Sequence, residues 1–254
     1  MGCRRCANRV LPDSGSTRYF LFKILTDSLY VLIIEPMPSR NIYKVFAEGA
    51  YYHVYNRGVE KRVIFSDEHD YKVFIHNLRR YLEPGFKVVR EDPKTKKPIL
   101  ATPNSSFDKI SLLAFCLMPN HYHLIVKLKK KEGLTDLMKK VCTNYTGYFN
   151  SKYDRVGKLY QGIYKAVPIK SREQFIQVTR YIHLNPLGIV KFSKLQDYPF
   201  SSFYYISRNA KKSWLNWEEV LGDMSLEKYR NFMESFAESD DDNKYDSIND
   251  LLLE

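Results

Sequence analysis

The chain has 254 residues, of which 44% are hydrophobic and 27% charged, a composition typical of a globular protein. The formal net charge is +11, but the last 15 residues carry −5 and the first 36 carry +2. Residues 37–239 therefore hold +14, which favours a polyanionic partner such as nucleic acid. The sequence contains no apolar run of the roughly 18 residues that cross a membrane. Its four scattered cysteines exclude a disulfide framework, so we expect a cytoplasmic protein without a membrane partner.

The first 36 residues differ in character from the rest. Their apolar run is interrupted by charges and has no small-residue cleavage site, which excludes a signal peptide. We predict that translation naturally starts at Met37 and that residues 1–36 are a poorly defined extension. The alternative is a short hydrophobic hairpin that packs on the body. Cys3 and Cys6 have the spacing of half a zinc knuckle, but no second pair follows.

Hydrophobic periodicity and turn residues predict alternating strands and helices from residue 50 onward. The predicted strands are 50–56, 111–117, 121–128 and 164–169, and the predicted helices are 67–82, 133–153 and one from Ser171 to about 185. Residues 86–109, rich in lysine and proline, are predicted to be an exposed insertion that forms at most a short ribbon.

This order is that of a split βαβ unit. It predicts an α+β fold with a ferredoxin-like, RRM-like antiparallel sheet and helices on one face. The predicted catalytic domain covers residues 37–206. A C-terminal extension over residues 207–254 is predicted to be helical and then acidic.

The stretch MPNHYHLIV, residues 118–126, places two histidines in an apolar strand. Residues two apart in a strand point to the same face, so His121 and His123 project side by side. Neutral imidazole is a common ligand of divalent metals. The pair therefore predicts a metal site, and the alternative is a buried pair whose hydrogen bonds are satisfied within the core.

The last predicted helix of the domain carries a candidate nucleophile. Tyr181 and Asn185 are four residues apart and share a helix face. A metal on the two histidines could polarise a phosphodiester while Tyr181 attacks phosphorus. Asn185 could complete the protein ligands of Mg²⁺ or Mn²⁺, with water and phosphate oxygens filling the octahedron. Tyr160 is the second candidate nucleophile.

Five motifs that occur in register resemble those of the REP-associated tyrosine transposases. These belong to the IS200-like family within the HUH superfamily of single-strand DNA endonucleases, named for two histidines around a hydrophobic residue. The motifs are Asn56-Arg57-Gly58, Met118–His123, Tyr160-Gln161-Gly162 with Lys165, Arg180–Pro186 and Tyr198–Ser202.

The resemblance implies a DNA strand transferase that cleaves and rejoins single-stranded DNA at hairpins through a 5′-phosphotyrosine link. It implies that Tyr181 is the nucleophile and that His121 and His123 bind the metal. Asn185 stands where related insertion-sequence transposases carry a glutamine ligand.

Four polar residues are the candidates for DNA contacts: Arg57, Gln161, Lys165 and Arg180. We expect single-stranded or hairpin DNA as the partner, no small-molecule cofactor, and a monomer or homodimer.

Two other functions remain open from the sequence. A non-catalytic RRM-like protein would read bases by aromatic stacking, for which Tyr51, Tyr52 and Tyr55 are suited. A metal-dependent phosphohydrolase would use water and give no covalent protein–DNA product.

Overall fold

The computed structural model describes residues 19–26, 29–36 and 46–237. The chain divides into two compact units, residues 1–45 and 46–254. In the first unit, β1 (Tyr19–Thr26) pairs antiparallel with β2 (Leu29–Pro36). Three sequence-based predictions fall outside the described residues: the start at Met37, the Cys3–Cys6 pair and the acidic tail from Asp240. The domain boundaries predicted from the sequence stay predictions.

The second unit is built on a four-stranded antiparallel sheet. Its strands are β3 (Tyr51–Arg57), β6 (Ile110–Met118), β7 (His121–Leu128) and β8 (Lys165–Ile169). A separate ribbon pairs β4 (Val88–Glu91) with β5 (Pro98–Ala101) inside the predicted insertion. The sheet order is β6-β7-β3-β8. The first strand of the motif thus lies between the third and the fourth, which is the ferredoxin-like arrangement. The predicted α+β class and antiparallel sheet are confirmed.

Six α-helices occur among the described residues. They are α1 (Glu68–Leu82), α2 (Gly133–Lys152), α3 (Arg172–Leu184), α4 (Phe203–Ile206), α5 (Glu218–Leu221) and α6 (Leu226–Ala237). None of the helices in these ranges is long and apolar enough to cross a membrane.

Different helices pack on the two faces of the sheet. Tyr122 of β7 is fully buried, with its ring 5.2 Å from Phe74 of α1 and its hydroxyl 3.5 Å from Cys142 of α2. Helices α1 and α2 therefore lie together on one face of the sheet, as predicted for the helices of the βαβ unit. Helix α3 lies on the opposite face, where Phe175 packs edge-on against Tyr51 at 5.2 Å. The histidines at i and i+2 share this second face with α3.

A buried carboxylate links α1 to α2. Asp67 caps α1 and forms a capping box with Asp70, which is fully buried. Asp70 accepts hydrogen bonds of 2.7–2.8 Å from the Tyr148 and Tyr153 hydroxyls, the Lys152 ammonium and the Ser66 backbone N–H. Burial alone would raise the pKa of Asp70, but these donors outweigh it and lower the pKa below its ordinary value.

We expect Asp70→Asn to lower the free energy of unfolding by about 3 kcal/mol, since it removes the charge from a buried, hydrogen-bonded pair. Glu68→Gln is the matched control, because the exposed Glu68–Lys72 pair should contribute less than about 0.5 kcal/mol. Urea denaturation at pH 7 measures both.

The pH dependence of stability should also differ. A lowered pKa in the folded state gives stability that is present above the unfolded value of about 3.9 and is lost as the pH falls below it. The Asp70→Asn variant should not show this part of the loss of stability at acid pH. Equal acid sensitivity of wild type and variant would contradict the role assigned to Asp70.

Candidate active site

A cleft of about 650 Å³ opens at one end of the sheet, on the α3 side. It lies where β3 ends and where β7 and β8 begin. The residues that line it are Tyr55, Asn56, Arg57, Lys61, Asn120, His121, His123, Gln161, Gly162, Ile163, Lys165 and Tyr181. The lining contains three cationic side chains and no aspartate or glutamate, which suits a phosphate-bearing ligand.

His121 and His123 both face this cleft, as their spacing predicted. Their ring centroids are 5.0 Å apart and the ring planes are nearly perpendicular. Burial lowers the pKa of His121, and the nearby Arg57 guanidinium adds to the effect, although a hydrogen bond to Asn185 opposes it. Burial and the neighbouring imidazoles hold the pKa of His123 well below its usual range. Both rings are therefore neutral at neutral pH, the form that binds metals.

The hydrogen bonds of His121 leave one nitrogen directed at Asn185. Its Nδ1 lies 2.6 Å from the Asn120 side-chain oxygen, and its Nε2 lies 3.0 Å from the Asn185 side-chain oxygen. A neutral imidazole carries one N–H and can donate to only one of these oxygens. If the proton lies on Nδ1, two lone pairs face each other across 3.0 Å, on His121 and Asn185.

That separation fits two adjacent ligands of one cation. In an octahedron with bonds of about 2.1 Å, neighbouring ligands lie about 3 Å apart. The described residues contain no group of three or more His, Cys, Asp or Glu side chains placed to hold a metal. The donors at this site are instead two imidazoles and an amide oxygen.

Tyr181 of α3 lies over the histidines. Its half-buried ring meets the His123 ring edge-on at a centroid distance of 5.5 Å, and it lines the same cleft. Burial raises the pKa of the Tyr55 phenol, and the Tyr181 phenol raises it further, so the two phenols are electrostatic neighbours. The structure thus brings His121, His123, Tyr181 and Asn185 together, although 64 residues separate His121 from Asn185.

The other side of α3 is fixed to the core through His183. This buried imidazole hydrogen-bonds the Tyr229 hydroxyl of α6 at 2.7 Å and the Ser202 hydroxyl at 2.6 Å. Ser202 is in turn bonded to the backbone of Phe115 in edge strand β6. Burial lowers the pKa of His183 to about 3, so it stays neutral. The motif Tyr198–Ser202 therefore holds in place the helix that carries Tyr181.

The motif Asn56-Arg57-Gly58 shapes the cleft mouth. A Cβ on Gly58 would lie 2.2 Å from the Arg62 carbonyl oxygen, so only glycine fits this close approach. The Gly58 N–H donates to the Asn120 carbonyl at 2.8 Å, and the Arg57 guanidinium donates to the Gln161 side chain. Lys165 lies 5.6 Å from the centre of the Tyr55 ring. Arg57, Gln161 and Lys165 thus line the cleft, and their contacts with DNA stay a prediction.

Two sequence candidates lie elsewhere. Arg180 does not line the cleft; its guanidinium lies 4.2 Å from the centre of the Phe232 ring of α6. Tyr160 packs edge-on against Tyr122 at 5.9 Å, on the opposite face of the sheet from the histidines. Its hydroxyl is buried, and burial raises its pKa well above the ordinary value.

Sequence reasoning missed His53. This imidazole is fully buried in β3, and its Nε2 lies 2.8 Å from the His123 Nδ1. The sequence did indicate its direction. Tyr51, His53 and Tyr55 are two residues apart in the stretch AYYHVYN and therefore point to the same face of the strand. The pairing with His123 was not visible, since 70 residues separate the two.

A family model agrees with the motifs. Residues 88–185 match the family model described as transposase IS200-like. The resemblance to the IS200-like transposases is confirmed. The matched stretch contains both cleft histidines, Tyr181 and Asn185. A solved structure of a REP-associated tyrosine transposase bound to a REP hairpin aligns with a TM-score of 0.44 and 14% identity, over 69% of this chain and 90% of that chain. No curated protein sequence matches the chain.

Proposed function

We propose that this IS200-like transposase cleaves and rejoins single-stranded DNA through a covalent tyrosine intermediate, next to a hairpin. The proposal rests on one observation: Tyr181, His121 and His123 line the same basic cleft. A phenol is a poor nucleophile at its ordinary pKa of about 10 and needs a site that stabilises charge on the phosphate.

In the proposed reaction, the Tyr181 hydroxyl oxygen bonds to phosphorus as the bond from phosphorus to the 3′-oxygen breaks. The phenolic proton is lost, the 3′-oxygen gains a proton, and the products are a 5′-phosphotyrosine and a free 3′-hydroxyl. The reverse attack by a 3′-hydroxyl rejoins the strand without another energy source, because the phosphotyrosine ester conserves the phosphodiester bond energy.

His121, His123 and Asn185 would hold Mg²⁺ or Mn²⁺. The neutral rings fit a cation here, as does the 3.0 Å separation of His121 Nε2 from the Asn185 oxygen when the His121 proton is on Nδ1. A bound ion would polarise a non-bridging phosphate oxygen and offset its developing charge. Arg57, Lys61 and Lys165 would bind the flanking phosphates, and the basic body would supply most of the DNA affinity.

The test uses single-stranded DNA in which a stable hairpin carries randomised flanks on both sides. With Mn²⁺ or Mg²⁺, the protein should yield a denaturation-resistant DNA adduct, and sequencing of the captured strands gives the cleavage site. Chelation should remove the adduct. Binding without cleavage would favour the RRM-like binder, whereas cleavage without an adduct would favour hydrolysis by water.

A further inference from the structure

His53 lies beneath the cleft rather than in it. It sits in β3, one of the two central strands of the sheet, with Ile125 and Val167 as its strand partners. Its side chain is fully buried and does not line the cleft. Its ring is nearly parallel to that of His123, at a centroid distance of 5.1 Å. A substrate in the cleft therefore reaches His123 but not His53.

The contact between the two rings constrains how His123 can act. His123 Nδ1 is engaged by His53 at 2.8 Å, so Nε2 is the nitrogen left for the cleft. One proton is shared in this contact. If His53 donates it, His123 carries its own proton on Nε2 and cannot bind a cation there. If His123 donates it, the Nε2 lone pair is free.

A second observation shows the same design at the neighbouring histidine. His121 Nδ1 faces an acceptor, the Asn120 side-chain oxygen, at 2.6 Å. Both histidines thus have Nδ1 held by a side chain, while Nε2 of His121 lies beside the Asn185 oxygen and Nε2 of His123 is left for the cleft. Metal-binding histidines commonly donate the N–H of the ring nitrogen that does not bind the metal to an acceptor, which fixes the tautomer and the orientation of the ring.

Packing does not explain a histidine at position 53. The Nδ1 of His53 is buried and has no hydrogen-bond partner among the described residues. A buried polar atom without a partner costs stability, and an aliphatic residue would avoid this cost. Residues that lower stability in this way are commonly found at functional sites.

We propose that His53 is a positioning residue whose Nε2 accepts the Nδ1 proton of His123 and keeps the Nε2 lone pair of His123 directed at the cleft. The proposal rests on the metal-binding role proposed above for His123. It gives His53 no direct contact with the ion or the DNA.

The experiment measures Mn²⁺ binding to the full chain by electron paramagnetic resonance, without DNA. His53→Leu removes the acceptor at similar size and should weaken binding by roughly 10–100-fold. His53→Gln should recover part of this loss, because its amide oxygen can accept the same proton. His69→Ala, an exposed histidine on α1, is the control and should bind like wild type.

The outcomes separate the two proposals. If His121→Ala loses Mn²⁺ while His53→Leu binds it as tightly as wild type, the ion site stands and the positioning role is refuted. If wild type does not bind Mn²⁺, the metal site fails and the role of His53 fails with it.

A second measurement reads the tautomer of His123 directly in the wild-type protein. In ¹⁵N-histidine-labelled wild type with Mg²⁺, His123 should carry its proton on Nδ1. A proton on Nε2 would overturn the proposal. The chain has six histidines, so the spectrum can be assigned by single substitutions.

Discussion

Tyr181→Phe should form no denaturation-resistant adduct with single-stranded DNA while still binding the hairpin substrate. The substitution removes only the hydroxyl oxygen that the proposed mechanism joins to phosphorus. The ring packs against His123, and this contact remains, so stability should change by no more than about 1–2 kcal/mol. Adduct yield is read on a denaturing gel, and binding is read by a native gel shift.

Tyr55→Phe is the matched control for this result. Tyr55 lines the same cleft, and its phenol is the electrostatic neighbour of Tyr181. Loss of the Tyr55 hydroxyl should leave adduct formation intact. An adduct of normal yield from Tyr181→Phe would move the nucleophile to another tyrosine. In that case Tyr55 should be tested before Tyr160, whose hydroxyl is buried on the other face of the sheet.

His121→Ala and His123→Ala should each lower the Mn²⁺-dependent cleavage rate by about 1000-fold or more. Stabilisation of phosphate charge by a bound cation contributes several kcal/mol, and each 1.4 kcal/mol is about a factor of ten in rate. DNA affinity should stay close to that of wild type, since basic residues outside the metal site dominate it.

Single-turnover cleavage and gel shifts at fixed salt measure the two effects separately. His69→Ala again serves as the control, because this exposed histidine lies on α1, across the sheet from the cleft. Cleavage at the wild-type rate by the double variant His121→Ala/His123→Ala would exclude the proposed metal role. A loss of binding equal to the loss of cleavage would instead point to a damaged fold.

Local geometry made much of the site predictable from the sequence. The period of two along a strand placed His121 and His123 on one face, and the period of 3.6 along a helix placed Asn185 one turn after Tyr181. Asp67 marked the start of α1 because a side-chain oxygen can cap the free backbone N–H groups there. These inferences depend only on neighbours in the chain, and the structure agrees with each of them.

The tertiary structure decided which distant side chains meet. The register of β3 against β7 sets Tyr55 opposite His123, which brings His53 to the diagonal position where it contacts the His123 ring. The packing of α6 against α3 placed Arg180 on Phe232, away from the cleft that Arg57, Gln161 and Lys165 line.

Neither outcome follows from local periodicity. Strand register and helix docking are fixed by the burial of residues far apart in the chain. The sequence by itself therefore determined the main elements and the faces that His121 shares with His123 and Tyr181 with Asn185. Only the packing of the sheet and α3 decided that His121 and Asn185 lie 3.0 Å apart and that His123 contacts the buried His53.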